Sequence, residues 1–185
     1  MNSLKVSELS DGRDYVLCNF LWKGKFMNKR IRIYEIQYEY IQYLSLYQKH
    51  IFLHKNGKSN RKYIGIVMEI NGMKYFAPLS SYKDKHKKMP ETVDFIKIKD
   101  YAVINFNNMI PVPSDQIIEL DINKEKDLSY RYLLQAESRE VNRQKNRIRK
   151  NAEIVYSHKI HNGNTTALAK RTNDFGMLEK LCGKY

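Results

Sequence analysis

The chain has 185 residues, of which 33 are Lys or Arg and 20 Asp or Glu, giving a formal charge of +13 with its histidines neutral. With 42% hydrophobic and 12% aromatic residues, it is far from the composition of disordered chains, and its length suits one domain with a real core. No run approaches the roughly 18 consecutive apolar residues of a membrane-spanning helix, and the start lacks the basic-then-apolar order of a secretory signal, so a cytoplasmic protein without a membrane partner is expected.

Residues 1–26 hold the only Trp, Trp22, a turn-like Asp11-Gly12 and no clear period, and they end before a second methionine, Met27. They read as an N-terminal extension, added by an upstream start codon or capping the sheet, ahead of a single domain over residues 27–185. Residues 30–36 alternate basic and apolar side chains, the pattern of a strand with one buried face. From 38 to 47, Ile41, Leu44 and Tyr47 recur at three-residue steps and predict a Tyr-rich helix. Residues 55–62 (KNGKSNRK) are polar and aperiodic and read as an exposed basic loop.

Residues 63–70 (YIGIVMEI) form an apolar, β-branched run, followed by Asn71-Gly72, the pair that a two-residue type I′ turn requires. A hairpin is the strongest local expectation. Its return strand runs from 73 to 79 and breaks at Pro78 into a polar segment, 80–89, expected to lie outside the core. Short strands are expected at 95–98, 101–106 and 109–112, with Pro111 and Pro113 marking sheet edges or exits. After 117–120 the character changes. Asp127 or Ser129 caps a helical segment that little interrupts from 130 to Gly163, as one helix or two, and a last helix spans 173–181.

Cys18 and Cys182 sit near opposite ends, with no second pair to build a zinc cage and no C-x-x-C motif, so free thiols are expected. Gly57-Lys58-Ser59 looks like the end of a P-loop, but that motif needs a glycine where Phe52 stands. His50 and His54 have helical metal-pair spacing without an intervening Glu, and His158 and His161 bracket a helix end; both pairs read as ordinary packing or surface histidines. No metal or cofactor is expected. Charge favours nucleic acid only modestly, because many basic proteins bind nothing specific.

The informative stretch is the hairpin exit, where Ser80 and Ser81 are followed by Lys83, Lys85, His86, Lys87 and Lys88. It reads either as a solvated turn or as a phosphate site, with hydroxyls donating hydrogen bonds and Lys83 supplying charge.

The run YIGIVMEINGMKYFAPLSSYKDKHKKM (63–89), followed by INFNNMIPV (104–112), resembles the ToxN/AbiQ family of bacterial type III toxin-antitoxin endoribonucleases, and its CptN branch. Weaker matches in the same order extend the resemblance over roughly residues 31–181. The resemblance implies an α+β fold, a strongly twisted antiparallel sheet flanked by helices, and metal-independent cleavage of cellular or phage RNA. It further implies inhibition by a repeated RNA pseudoknot, cut by the toxin from its own precursor and held in a closed toxin-RNA assembly. The implied setting is phage defence by abortive infection, or plasmid or chromosomal maintenance.

RNA breaks when its 2′-OH attacks the adjacent phosphorus, leaving a 2′,3′-cyclic phosphate and a 5′-OH. A site needs only to align that hydroxyl, neutralise the developing charge and move protons. By motif, Ser80 and Ser81 match the family's hydroxyl pair and Lys83 its following lysine. Ser81 is assigned to the phosphate or 2′-OH, Ser80 to orientation and Lys83 to phosphate charge. Crowding by Lys85, Lys87 and Lys88 would let one lysine take part in proton transfer, and His86 is a second candidate acid or base. The family's lysine before the strand falls on Arg61 by counting, or on Lys62 if the loop is offset by one. The tyrosine that family members can carry in this loop is not evident between Phe52 and Asn60, and residues 1–26 are expected to be dispensable for cleavage. For RNA binding, the candidates are Lys55, Lys58, Lys85, Lys87 and Lys88, with a groove wall of Arg139, Arg143, Lys145, Arg147, Arg149 and Lys150. That helix is otherwise a solvated face. The rival functions are a non-catalytic RNA-binding module and a DNA-binding regulator, the latter disfavoured because no short helix-turn-helix pair is present.

Overall fold

The computed structural model describes residues 29–51 and 61–185. The proposed extension, Cys18, His54, Lys55 and Lys58 lie outside the described residues. Among these residues, seven strands form one antiparallel sheet: β1 (Arg32–Ile36), β2 (Tyr63–Ile70), β3 (Met73–Ser81), β4 (Phe95–Ile98), β5 (Ala102–Asn105), β6 (Ile110–Val112) and β7 (Ile117–Glu119). Their spatial order is β4-β5-β3-β2-β1-β7, with β6 pairing β3 as well. The six α-helices among the described residues are α1 (Tyr38–Ser45), α2 (Asp84–Lys88), α3 (Leu128–Arg143), α4 (Lys145–Asn162), α5 (Ala167–Arg171) and α6 (Phe175–Cys182). The expected α+β class and antiparallel sheet are both present.

The β2–β3 hairpin turns at Asn71 and Gly72, both at positive φ, 51° and 77°, as a type I′ turn demands. β2 is apolar without alternation because its interior residues are buried on both faces of the sheet. Inside it, Gly65 lies against the Phe76 ring so closely that a Cβ would sit 2.3 Å from two ring carbons.

β3 corrects the expected break at Pro78, for the strand runs on through Ser81. Its first half pairs β6, up to Phe76↔Ile110, and its second half pairs β5, from Leu79↔Ile104. The Leu79 N–H donates to the Lys62 carbonyl on the β2 side at 2.9 Å. Successive amides along a strand point to opposite sides, so the Pro78 nitrogen faces the gap between β6 and β5, where no donor is required.

α4 packs on β2, and α6 on β6. Asp127 caps α3, accepting from the Tyr130 N–H, and a break at Gln144 divides the long helical segment in two. On α4 the buried residues Ile148, Ala152, Val155, Tyr156 and Lys159 follow the spacing of a single inward stripe. Asn142 ties α3 to the start of β1, its side-chain amide accepting from the Ile31 N–H at 3.0 Å and donating to the Ile31 carbonyl at 2.8 Å. α5 was not expected from sequence. Its Arg171 makes a two-pronged contact with the buried Asp94 just before β4, at 2.8 and 2.9 Å.

Candidate active site

The partner exchange along β3 leaves its last residues framed on both sides. Ser80 and Ser81 stand opposite Val103 and Ala102 of β5, and the Tyr82 N–H donates to the Tyr101 carbonyl at 3.1 Å, extending the ladder one residue. Ser80 is half-buried and Ser81 exposed. Among the described residues, neither hydroxyl nor the Lys83 ammonium has a protein partner. Lys83 is extended, at φ −134° and ψ 159°, and opens α2.

These groups border a cleft of about 480 Å³. Lys83 and Lys85 supply charge from the β3 exit, and Arg61 and Lys62 supply it from the start of β2. The register explains why the two ends meet: Tyr63 pairs Pro78, so Arg61 and Lys62 lie across from the strand exit. Tyr34 pairs Tyr63, which brings Glu35 of β1 opposite Lys62, and their side chains form a partly buried ion pair. Both cations left open by counting therefore line the cleft, Lys62 with a carboxylate attached.

Several walls of this cleft were not expected from the sequence. Asn105 and Asn108 reach it from the INFNNMIP segment, Phe95 from β4, and Tyr130 from the first turn of α3. The Asn108 Oδ1 is buried without a hydrogen-bond partner among the described residues, leaving an acceptor unsatisfied. The INFNNMIP motif was the available signal for the two asparagines. Nothing local marked Tyr130, which arrives from a distant helix. Burial, then the charges of Glu137, Glu125 and Glu35, hold its phenol above the usual range, so it stays protonated as a donor. Glu137 itself is buried, and desolvation lifts its carboxyl to about 7.

The lysine run divides. Lys83 and Lys85 face the cleft, whereas Lys87 pairs with Asp84 at 2.9 Å and Lys88 is exposed outside the cleft lining. The segment was expected to lie wholly outside the core, but His86 is 6% exposed, packed between the rings of Tyr82 and Phe95.

The basic stretch at the α3–α4 junction does not form one wall. Arg139 borders a separate cleft of about 640 Å³ with Arg30 and Arg32. Arg143 and Arg147 face Lys97 and Lys99 across another depression, paired to Glu140 at 2.7 Å and Glu91 at 3.0 Å. Lys145 is half-buried and Lys150 exposed. Arg149 is buried and donates to the Lys29 carbonyl at 2.8 Å; an Arg turned inward, it binds the chain to itself instead of forming a groove wall. Among the described residues, no three His, Cys, Asp or Glu side chains are grouped to hold a metal ion, and no helix is long and apolar enough to cross a membrane.

Residues 32–182 match the family described as Toxin ToxN, type III toxin-antitoxin system. The Endoribonuclease ToxN of Bacillus thuringiensis subsp. kurstaki is 30% identical over 162 residues, covering 83% of this chain and 84% of that protein. The Endoribonuclease AbiQ of Lactococcus lactis subsp. lactis is 27% identical over 182 residues, 91% of this chain and 96% of that protein. A solved type III toxin, described as selectively inhibited by a non-coding RNA pseudoknot, superposes with a TM-score of 0.73 at 28% identity, over 85% of this chain and 98% of its own.

Proposed function

We propose, from the premise that the chain belongs to the ToxN toxin family of type III toxin-antitoxin systems, that it is an endoribonuclease working in the cleft at the end of β3. The observation that carries this reading is the convergence on one open cleft of Lys83, Arg61, Lys62 and two serines whose hydroxyls have no partner among the described residues. A phosphodiester entering it meets hydroxyl donors on a fixed strand and cations on two sides.

The reaction is an internal transfer. The 2′-oxygen bonds to phosphorus and the bond to the 5′-oxygen breaks, giving a 2′,3′-cyclic phosphate and a 5′-OH. One proton leaves the 2′-OH and one reaches the departing oxygen. Ser81, the more exposed hydroxyl, holds the scissile phosphate or the 2′-OH, and Ser80 sets its orientation. Serine is too weak a base to take the proton unaided, so both act by positioning. Lys83 and Arg61 neutralise the charge that grows on the phosphoryl oxygens. Lys62 is the better proton carrier of the adjacent pair, because an ammonium exchanges its proton where a guanidinium does not. Tyr130 donates from the opposite wall. The chemistry asks for no metal.

Its inhibitor is an RNA pseudoknot released from a repeated precursor and bound with the toxin in a closed assembly, with Lys85, Arg139, Arg143, Arg147 and Lys150 as phosphate contacts. The pseudoknot-inhibited relative and the family's toxin-antitoxin context support this. Cleavage of cellular or phage RNA then serves phage defence by abortive infection, in the cytoplasm, and residues 27–185 suffice for it.

The test is to free the purified chain of RNA, incubate it with cellular RNA in EDTA, and run Ser81→Ala beside it. Discrete cuts by the native chain and none by the variant support the reading. Intact RNA in both, with binding retained, would establish an RNA-binding module instead.

A further inference from the structure

His86 has two candidate roles in a nuclease cleft, exchanging protons with the substrate or holding another residue in place. Its bonds distinguish them. The backbone N–H of His86 donates to the Lys83 carbonyl at 2.8 Å, and the backbone N–H of Lys83 donates to His86 Nδ1 at 3.0 Å. A nitrogen that accepts from an N–H carries no proton of its own, so the ring is the neutral tautomer with its proton on Nε2. The ring is wedged by Tyr82 at 5.6 Å and Phe95 at 5.8 Å between centroids, and Lys97 of β4 ties α2 down by donating to the Lys87 carbonyl at 3.3 Å. Lys83 is thus fixed at its backbone by a side chain that is itself fixed.

We propose that His86 is a positioning residue: neutral, it clamps the Lys83 backbone and aims the Lys83 ammonium into the cleft, and protonation at Nδ1 opens the clamp and lowers cleavage. This rests on the reading of Lys83 as the phosphate-binding cation. The surroundings favour the closed, neutral form. Burial against Tyr82 and Phe95, then the charges of Lys85, Lys83 and Lys97, hold the imidazole below its ordinary value. The acid on the same helix, Asp84, is engaged with Lys87. Because the folded-state value is depressed, the clamp is whole above the ordinary histidine value and is lost as pH falls through the folded one.

His86→Asn places a non-titrating acceptor near the Nδ1 position, and His86→Ala removes the acceptor. Cleavage of a single-stranded RNA oligonucleotide spanning a mapped cut is followed from about pH 5 to about pH 8, across the range where histidine titrates. In His86→Ala, kcat falls about 100-fold with KM little changed, the scale of a misplaced catalytic group. His86→Asn recovers at least about tenfold of that loss and loses the acid-side decline of the native profile. If His86→Asn is as inactive as His86→Ala at every pH, or keeps the acid limb, the proposal is wrong. Nitrogen NMR of the native protein decides independently of activity. Near neutral pH it finds Nδ1 unprotonated and Nε2 protonated, and the opposite tautomer overturns the clamp. A native chain that cuts no RNA removes the nuclease reading, while the tautomer still tests the geometry.

Discussion

Replacing Arg171 by Ala strips the guanidinium from Asp94, a carboxylate only 4% exposed that immediately precedes the cleft-lining Phe95. Two contacts are lost, at 2.8 and 2.9 Å, and the Thr92 hydroxyl at 2.8 Å is left as the remaining side-chain partner. Breaking a fully buried ion pair costs about 3–5 kcal/mol. The Arg171 side chain is 49% exposed, so water reaches the vacated place and the loss reduces to about 2–3 kcal/mol. At roughly 2–4 °C per kcal/mol for a chain of this size, Tm falls by about 5–10 °C. Burial alone would raise the Asp94 value, but the hydrogen bonds from Arg171 and Thr92 outweigh it and hold it below the ordinary range. The stabilisation is therefore present above the ordinary carboxylate value and fades as pH falls through the depressed one. Urea unfolding at neutral pH and near pH 3, for Arg171→Ala, Asp94→Asn and the double variant, measures it. A single-variant loss under about 0.5 kcal/mol, or strict additivity in the double variant, would show that the two side chains are not coupled.

Gly65→Ala drives a methyl to 2.3 Å from the fully buried Phe76 ring and lowers stability by at least about 1–3 kcal/mol in thermal unfolding. Gly176→Ala in α6 meets nothing closer than 3.7 Å and raises stability by about 0.5–1 kcal/mol in the same assay. Burial lifts Glu137 to about 7, so native stability declines as pH rises from about 4.5 through 7; Glu137→Gln flattens that decline and is the more stable protein at pH 8 by urea titration. Charge reversal at Arg139, and separately at Lys150, reduces the log-log salt slope of RNA binding by about 0.7 for each phosphate contact removed, whereas a solvated face leaves it unchanged.

Much of this fold is written in local pattern. Asn71-Gly72 between two apolar runs specifies its turn, and Asp127 before a periodic segment specifies its helix start. The end of β3 was hidden because Pro78 is a strand breaker unless its nitrogen faces a gap, and that gap exists only through the separate placement of β5 and β6. The serine pair and Lys83 were legible as a motif, but their cleft was not, since Arg61 and Lys62 join it through β2–β3 register and Tyr130 through the packing of α3. His86 stood in a run of lysines that looked wholly solvated; it is buried between Tyr82, just before its helix, and Phe95, which β4 brings against it. Arg149 misled in the opposite direction, because the period of α4 turns one of six clustered cations inward to meet Lys29.

If the cleft at the end of β3 cuts RNA through the substrate's own 2′-oxygen, removing that oxygen abolishes the cut. The measurement uses a matched pair of oligonucleotides spanning one mapped cut, differing only by a 2′-deoxy sugar on the 5′ side of the scissile phosphate. The all-ribose strand is expected to yield a 2′,3′-cyclic phosphate and a 5′-OH, and the other strand no cut at that bond. Cleavage of the deoxy-substituted bond, or a 5′-phosphate on the product, would rule out attack by the 2′-oxygen.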